Sequence, residues 1–153
     1  MKRLSLTILL LTLLLSGGAL AQNDSGFGLG IMLGEPTGVS MKGWLSSATS
    51  LNAGVAWSFQ GDSEITLQCD YVWHKFDLIS VSSGKLPLYY GIGARFRDHQ
   101  NGDSNFGARV PVGLDYMWDN SHFDVFVELV PILDLAPDVK FRIGAAIGGR
   151  YFF

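Results

Sequence analysis

The chain has 153 residues with a formal net charge of −3, and 48% of its residues are hydrophobic while 16% are charged. Soluble domains usually carry about 25% charged residues, and nucleic-acid-binding domains carry an excess of Lys and Arg. The composition therefore argues against a nucleic-acid partner and against an ordinary soluble domain. Cys69 is the single cysteine, which excludes an intramolecular disulfide framework.

The first 21 residues have the pattern of a secretory signal peptide. Lys2 and Arg3 precede an apolar run over 4–15, and the segment ends in Ala19-Leu20-Ala21. The apolar run is too short to span a bilayer, which takes about 20 residues. We predict cleavage after Ala21, which leaves residues 22–153 as a single barrel domain.

Eight runs of alternating apolar and polar or small residues follow, and clusters rich in Gly, Pro, Asp, Asn and Ser separate them. This period of two is typical of β-strands, and short turns imply antiparallel neighbours. The sequence predicts an all-β protein, an eight-stranded antiparallel up-and-down barrel. The predicted strands cover 26–34, 38–46, 50–59, 64–74, 86–97, 105–118, 122–134 and 138–153.

The two faces of these strands differ in chemistry. One face is apolar in every strand, and the other carries charged residues separated mostly by glycine, alanine and serine. If the loop at 135–139 sets Asp134 opposite Lys140, the same register sets Asp124 opposite Arg150. We predict that the charged residues form ion pairs inside the barrel: Lys42, Asp70, Arg95, Arg109, Asp115, Asp124, Glu128, Lys140, Arg142 and Arg150.

The volume of the barrel decides which face lies inside. An eight-stranded barrel has an interior just wide enough for side chains to fill. Large apolar residues at nearly every position of one face overfill that space, whereas the glycine-rich charged face fits it. Aromatic residues also gather near both ends of the predicted strands, as in the two girdles of a membrane barrel. The apolar face is therefore predicted to meet lipid.

The last strand supports this interpretation. Apolar residues at Phe141, Ile143, Ile147 and Tyr151 lead to a terminal Phe153. This ending resembles the C-terminal signature of Gram-negative outer-membrane proteins, which implies recognition of Phe141, Ile143, Tyr151 and Phe153 by the outer-membrane assembly machinery. With the predicted signal peptide and eight strands, the chain resembles the small OmpA-like and OmpX-like barrels. The resemblance implies a Gram-negative outer-membrane location with lipid as the surrounding partner, and it leaves the ligand and the oligomeric state open.

No pattern of catalytic, metal-binding or cofactor-binding residues is evident. His74, His99 and His122 are far apart in the sequence, whereas metal ligands usually cluster. Ser121, His122 and Asp124 supply the residue types of a hydrolytic triad, but neighbours on one strand do not place nucleophile and acid on opposite sides of an imidazole. We expect a non-enzymatic barrel without metal or cofactor. A lipid-modifying outer-membrane enzyme and a secreted soluble barrel for a small ligand remain alternatives.

Two features strain the predicted barrel. Pro111 and Pro131 fall inside predicted strands although proline cannot donate to a ladder, so we expect a bulge or a break near each. The connection at 75–85 is the longest, yet it lies at the periplasmic end, where membrane barrels usually have short turns.

Overall fold

The computed structural model describes residues 26–58, 64–100 and 102–153, and within these ranges the chain is built from β-strands. The predicted signal peptide and its cleavage point lie outside them. Among the described residues, no helix is both long and apolar enough to cross a bilayer. The strands are β1 (Phe27–Gly34), β2 (Gly38–Trp44), β3 (Thr49–Ser58), β4 (Glu64–Lys75), β5 (Leu88–His99), β6 (Asn105–Arg109), β7 (Val112–Met117), β8 (Phe123–Ala136) and β9 (Lys140–Phe152).

The strands form one antiparallel sheet that closes into a ring. Neighbours in the ring follow chain order, with β6 and β7 both lying between β5 and β8, and β1 pairs with β9 over Gly28–Gly34 and 146–152. Closure satisfies the backbone donors and acceptors that an open sheet leaves at its edges. The predicted antiparallel barrel is therefore confirmed.

The predicted number of strands was wrong, because the described chain has nine. The predicted strand at 105–118 is divided at Val110 and Pro111 into β6 and β7. The register against β8 shifts once, between Phe106 and Gly107, and is then the same in both segments, since Arg109 pairs with Ile132 and Val112 pairs with Leu129. The nine strands thus occupy eight positions around the ring, with β6 and β7 end to end.

The division has a simple cause in the proline ring. The Gly91 amide donates to the Pro111 carbonyl at 2.9 Å, but Pro111 has no N–H to donate in return. The break expected at Pro111 is therefore present, whereas the one expected near Pro131 is absent and β8 is continuous. The Pro131 carbonyl accepts from Val110 at 3.0 Å, so the missing Pro131 donor faces the segment that is already interrupted.

Polar and apolar side chains are distributed inside out compared with a soluble protein. Burial alternates residue by residue along β4 and β8. Asp124 is 1% exposed and Arg109 is 1% exposed, whereas Ile147 is 54% exposed. The sheet therefore turns its charged residues toward the barrel axis and its large apolar residues outward.

The two ends of the barrel differ. We call the end where β1 begins and β9 ends the terminal end, and the opposite one the turn end. The long connection at 76–87 lies at the terminal end. Lys85 continues the register of β5 by bridging to Met117, and the Gly84 amide donates to Asp119 Oδ2 at 2.7 Å. Phe76 lies 6.3 Å from Trp44 between ring centroids, so this connection folds against the end of the lumen.

Candidate functional site in the barrel lumen

The lumen contains most of the residues predicted to form ion pairs. Arg142 is half exposed and reaches inward, while Lys140 is exposed at the start of β9. The predicted register is present, with Asp134 opposite Lys140 and Asp124 opposite Arg150. Eight of the ten candidates are buried: Lys42, Asp70, Arg95, Arg109, Asp115, Asp124, Glu128 and Arg150.

Four of these residues form a cluster near the terminal end. Arg150 donates from Nε to both oxygens of Asp124, at 2.9 and 3.1 Å, and from Nη2 to Asp124 Oδ2 at 2.8 Å. Its Nη2 also lies 3.3 Å from Asp115 Oδ2. Lys42 Nζ donates to the same oxygen of Asp115. Two cations and two carboxylates thus balance one another where water is excluded.

Aromatic rings close the terminal side of this cluster. Lys42 Nζ lies 4.2 Å from the centroid of Trp44 and 3.0 Å from His74 Nε2. The rings of His74, Trp44 and Phe76 contact one another, with the His74 centroid 4.5 Å from Trp44 and 6.1 Å from Phe76. A cation over an aromatic face is attracted by the ring quadrupole. The rings therefore shield the ion pairs from the solvent at this end.

A second cluster surrounds Arg109 in the middle of the lumen. Arg109 Nε lies 2.9 Å from Asp70 Oδ1, and its Nη2 lies 3.3 Å from Glu128 Oε1. Arg109 Nη1 donates to Gln68, and the Tyr89 hydroxyl donates to Glu128 Oε2 at 2.8 Å. One guanidinium thus lies between two carboxylates, and neutral side chains complete the contacts.

A third cluster lies toward the turn end. Asp134 accepts from Arg95 at 2.6 Å and lies 3.0 Å from Arg142 Nε. This corrects the predicted role of Lys140. The Asp134 carboxylate is held by two arginines, and Lys140 is at the rim, where water solvates its ammonium group.

The space left beside Asp70 and Glu128 of the second cluster is small. A cavity of about 10 Å³ lies beside Asp70, Glu128 and Ser40, which is about the room that one water molecule takes. Met32, Val72, Tyr89 and Phe126 fill the lumen further with buried apolar groups. At this height, the interior of the barrel is packed with side chains.

Sequence reasoning missed Gln68 and Tyr89 as lumen residues. Both alternate with outward residues of β4 and β5, so the period of two contains the signal that places them. They were overlooked because the prediction considered only charged side chains, whereas buried charged groups also require neutral hydrogen-bond partners.

The residues considered for a hydrolytic triad lie apart. Asp124 points into the lumen toward Arg150, whereas His122 is exposed and its ring lies 5.7 Å from that of Tyr151 between centroids, tilted by 35°. The Ser121 hydroxyl accepts from the Phe123 amide at 3.3 Å. The barrel wall separates the carboxylate from the imidazole, so these three side chains do not form a triad.

The closed ring is similar to a β-barrel of known structure. The N-terminal β-barrel domain of Pseudomonas aeruginosa OprF has a similar structure, with a TM-score of 0.65 and 16% sequence identity over 86% of this chain and 98% of that one. The two chains share the fold of a closed antiparallel β-barrel. No protein-family model matches the sequence, and no curated protein does. At this identity the likeness concerns the fold, and it confirms the resemblance on which the sequence-based prediction rests.

Proposed function

We propose that the protein is an integral outer-membrane β-barrel of a Gram-negative bacterium with a plugged, charge-paired lumen and a structural role in the envelope. One observation carries the proposal, namely the reversal of the usual burial pattern. Lys42, Asp115 and Asp124 have side chains that are 0% exposed, whereas Ile31 and Ile143 are 62% and 65% exposed. In water this exposed surface would aggregate. In lipid it is solvated.

The aromatic residues support a position across a bilayer. At the terminal end, outward rings contact one another in pairs: Tyr71 with Trp73 at 4.8 Å, Tyr116 with Trp118 at 4.7 Å and Phe123 with Tyr151 at 5.0 Å. Exposed aromatic residues also occur toward the turn end, at Trp57, Phe96, Phe106 and Phe141. Tyr and Trp rings favour the headgroup region, so two such belts mark two membrane interfaces.

The packed interior supports a structural role rather than transport. The space beside Asp70 and Glu128 holds about one water molecule. Toward the terminal end Lys42 pairs with Asp115, and toward the turn end Arg95 pairs with Asp134, each between strands that are not neighbours. We propose that the barrel has no catalytic activity and binds neither a metal nor a cofactor.

The last strand supports a proposed interaction with the assembly machinery. Phe141, Ile143, Tyr151 and Phe153 all point outward and are exposed. The Phe153 amide donates to the Phe27 carbonyl at 3.0 Å, so this residue extends the pairing between β1 and β9 by one position. We propose that the outer-membrane assembly machinery binds these four side chains before the barrel closes.

Membrane fractionation and heat-modifiable migration test the proposal. We expect the full chain to resist buffer and carbonate, to be extracted by detergent, and to migrate on gels differently before and after boiling. Extraction in buffer would instead support a secreted soluble barrel.

In planar bilayers the detergent-extracted protein should show no stable conductance, and steady channels would contradict the plugged lumen. Mass spectrometry of lipid A from cells with and without the protein should show no difference. A changed acylation pattern would instead support the alternative function of a lipid-modifying outer-membrane enzyme.

A further inference from the structure

We propose that a groove on the outer wall of the barrel binds an acyl chain of a phospholipid whose amine headgroup lies at the terminal end. The inference rests on the proposed membrane location. The groove crosses β1, β9 and β8 and has a volume of about 620 Å³, which is in the range of small-molecule sites.

A glycine forms the floor of the groove. Gly149 lies on the outward face of β9, directly between Ile31 on β1 and Val125 on β8. The next row toward the terminal end consists of Leu29, Tyr151 and Phe123. Because Gly149 has no side chain, Ile31 and Val125 on either side of it form the walls of a depression. Most of the lining is apolar, which suits a hydrocarbon chain.

The polar end of the groove favours an amine. Asp119 and Ser121 line it on the terminal side, next to Trp118. Asp119 Oδ2 accepts from the Gly84 amide at 2.7 Å and from the Ser83 hydroxyl at 3.5 Å, and the side chain is exposed. Arg150 and Asp124 also line the groove from behind, but they pair with each other and leave no net charge. An ammonium headgroup therefore finds a carboxylate where the chain emerges, and Trp118 lies at the level where indole rings meet headgroups.

Phosphatidylethanolamine combines both features, so it is the occupant to which this proposal commits. Its acyl chain continues the lipid that covers the neighbouring outward residues, and its ammonium group complements Asp119. An anionic phospholipid such as phosphatidylglycerol has similar acyl chains, but its headgroup has no ammonium group and its negative charge is repelled by the Asp119 carboxylate.

The groove can be filled without disturbing the barrel. A Cβ at position 149 would lie 3.4 Å from the Asp124 carbonyl oxygen and 3.8 Å from Val125 Cγ2, and both distances are tolerable contacts. Gly149→Leu should therefore fold. Ala145→Leu is its matched control, since Ala145 lies on the same face of β9 but outside the groove.

Native mass spectrometry of the full chain tests the site, with defined amounts of phosphatidylethanolamine or phosphatidylglycerol added to the detergent. We expect the wild type and Ala145→Leu to retain phosphatidylethanolamine, and Gly149→Leu to retain roughly five-fold less, because a leucine side chain fills the floor on which the acyl chain lies. Asp119→Asn should abolish the preference over phosphatidylglycerol. Heat-modifiable migration of each variant confirms that it is folded.

Two outcomes would overturn the inference. Equal lipid retention by folded wild type and folded Gly149→Leu would show that the groove has no specific occupant, while the membrane location stands. A dimer in the wild type that is lost in Gly149→Leu would assign the groove to a second copy of the chain. A wild-type chain that needs no detergent would instead reject the proposed function itself.

Discussion

Asp124 and Arg150 lie directly opposite each other on β8 and β9, and Arg150 donates three hydrogen bonds to the two carboxylate oxygens of Asp124. Both side chains are buried inside the barrel. A buried pair is costly to break because the remaining partner keeps an uncompensated charge. The pair therefore links β9 to β8, along the edge of β9 that does not pair with β1.

The Asp124 and Arg150 pair should show energetic coupling. We expect Asp124→Asn to lower the free energy of unfolding by about 3–5 kcal/mol, because Arg150 then lacks its main partner. Combined with Arg150→Met, the loss should be smaller than the sum of the two single losses by at least about 1 kcal/mol. Urea unfolding of the refolded barrel in detergent measures the cycle. Lys140→Gln, at an exposed position, is the control and should change stability by less than about 0.5 kcal/mol.

The Arg109 cluster should respond unequally to loss of its members. Arg109→Gln leaves Asp70 and Glu128 buried without their cation, so we expect a loss of about 3–5 kcal/mol. Asp70→Asn leaves Arg109 paired with Glu128, so we expect a loss of about 1 kcal/mol. The same urea experiment compares them. Equal losses would mean that Arg109 does not balance both carboxylates.

The outward assignment of β9 predicts a cost for a charge at Ile143. Ile143 is 65% exposed on the outer wall. In a bilayer, an arginine on this face costs about 2–4 kcal/mol near the midplane. We expect Ile143→Arg to reduce the folded, heat-modifiable form in membranes, while Ile143→Leu remains like the wild type. Wild-type amounts of folded Ile143→Arg would falsify the facing assignment.

Loss of the Phe153 ring should impair assembly in the membrane without impairing folding. Phe153 is 76% exposed, and its backbone amide rather than its ring bonds to β1. Phe153→Ser should therefore refold in detergent like the wild type but reach the outer membrane several-fold less, and Phe153→Tyr should preserve the level. Quantitative blotting of membrane fractions checks this. A normal outer-membrane level of Phe153→Ser would remove the proposed recognition of this ring.

The gap between β6 and β7 should close when the missing donor is restored. Pro111→Ala supplies an N–H that faces the Gly91 carbonyl across the ladder. We expect the new amide to be protected from hydrogen exchange and the barrel to gain about 0.5–1.5 kcal/mol. Exchange measured by NMR in detergent tests this. If the amide introduced by Pro111→Ala exchanges as fast as those of the loops, something other than proline divides the strand.

The alternation in the sequence is enough to separate the strand residues into two faces. Side chains alternate along a strand whatever its partners are, so the period of two separates Asp124 and Arg150 from Ile143 and Tyr151 before any strand is paired. The same alternation, together with turn residues, predicts an antiparallel barrel. The missing proline N–H predicts an interruption near Pro111 and near Pro131, and only the one at Pro111 is present.

The contacts of each inward residue follow from the way in which the strands are arranged around the lumen. Lys140 and Arg142 lie on the same face of β9, yet Asp134 pairs with Arg142 and with Arg95 from another strand. Such contacts depend on distances across the lumen, which local alternation does not contain. The groove over Gly149 has the same origin, because a missing side chain becomes a site only when the register places Ile31 and Val125 on either side of it.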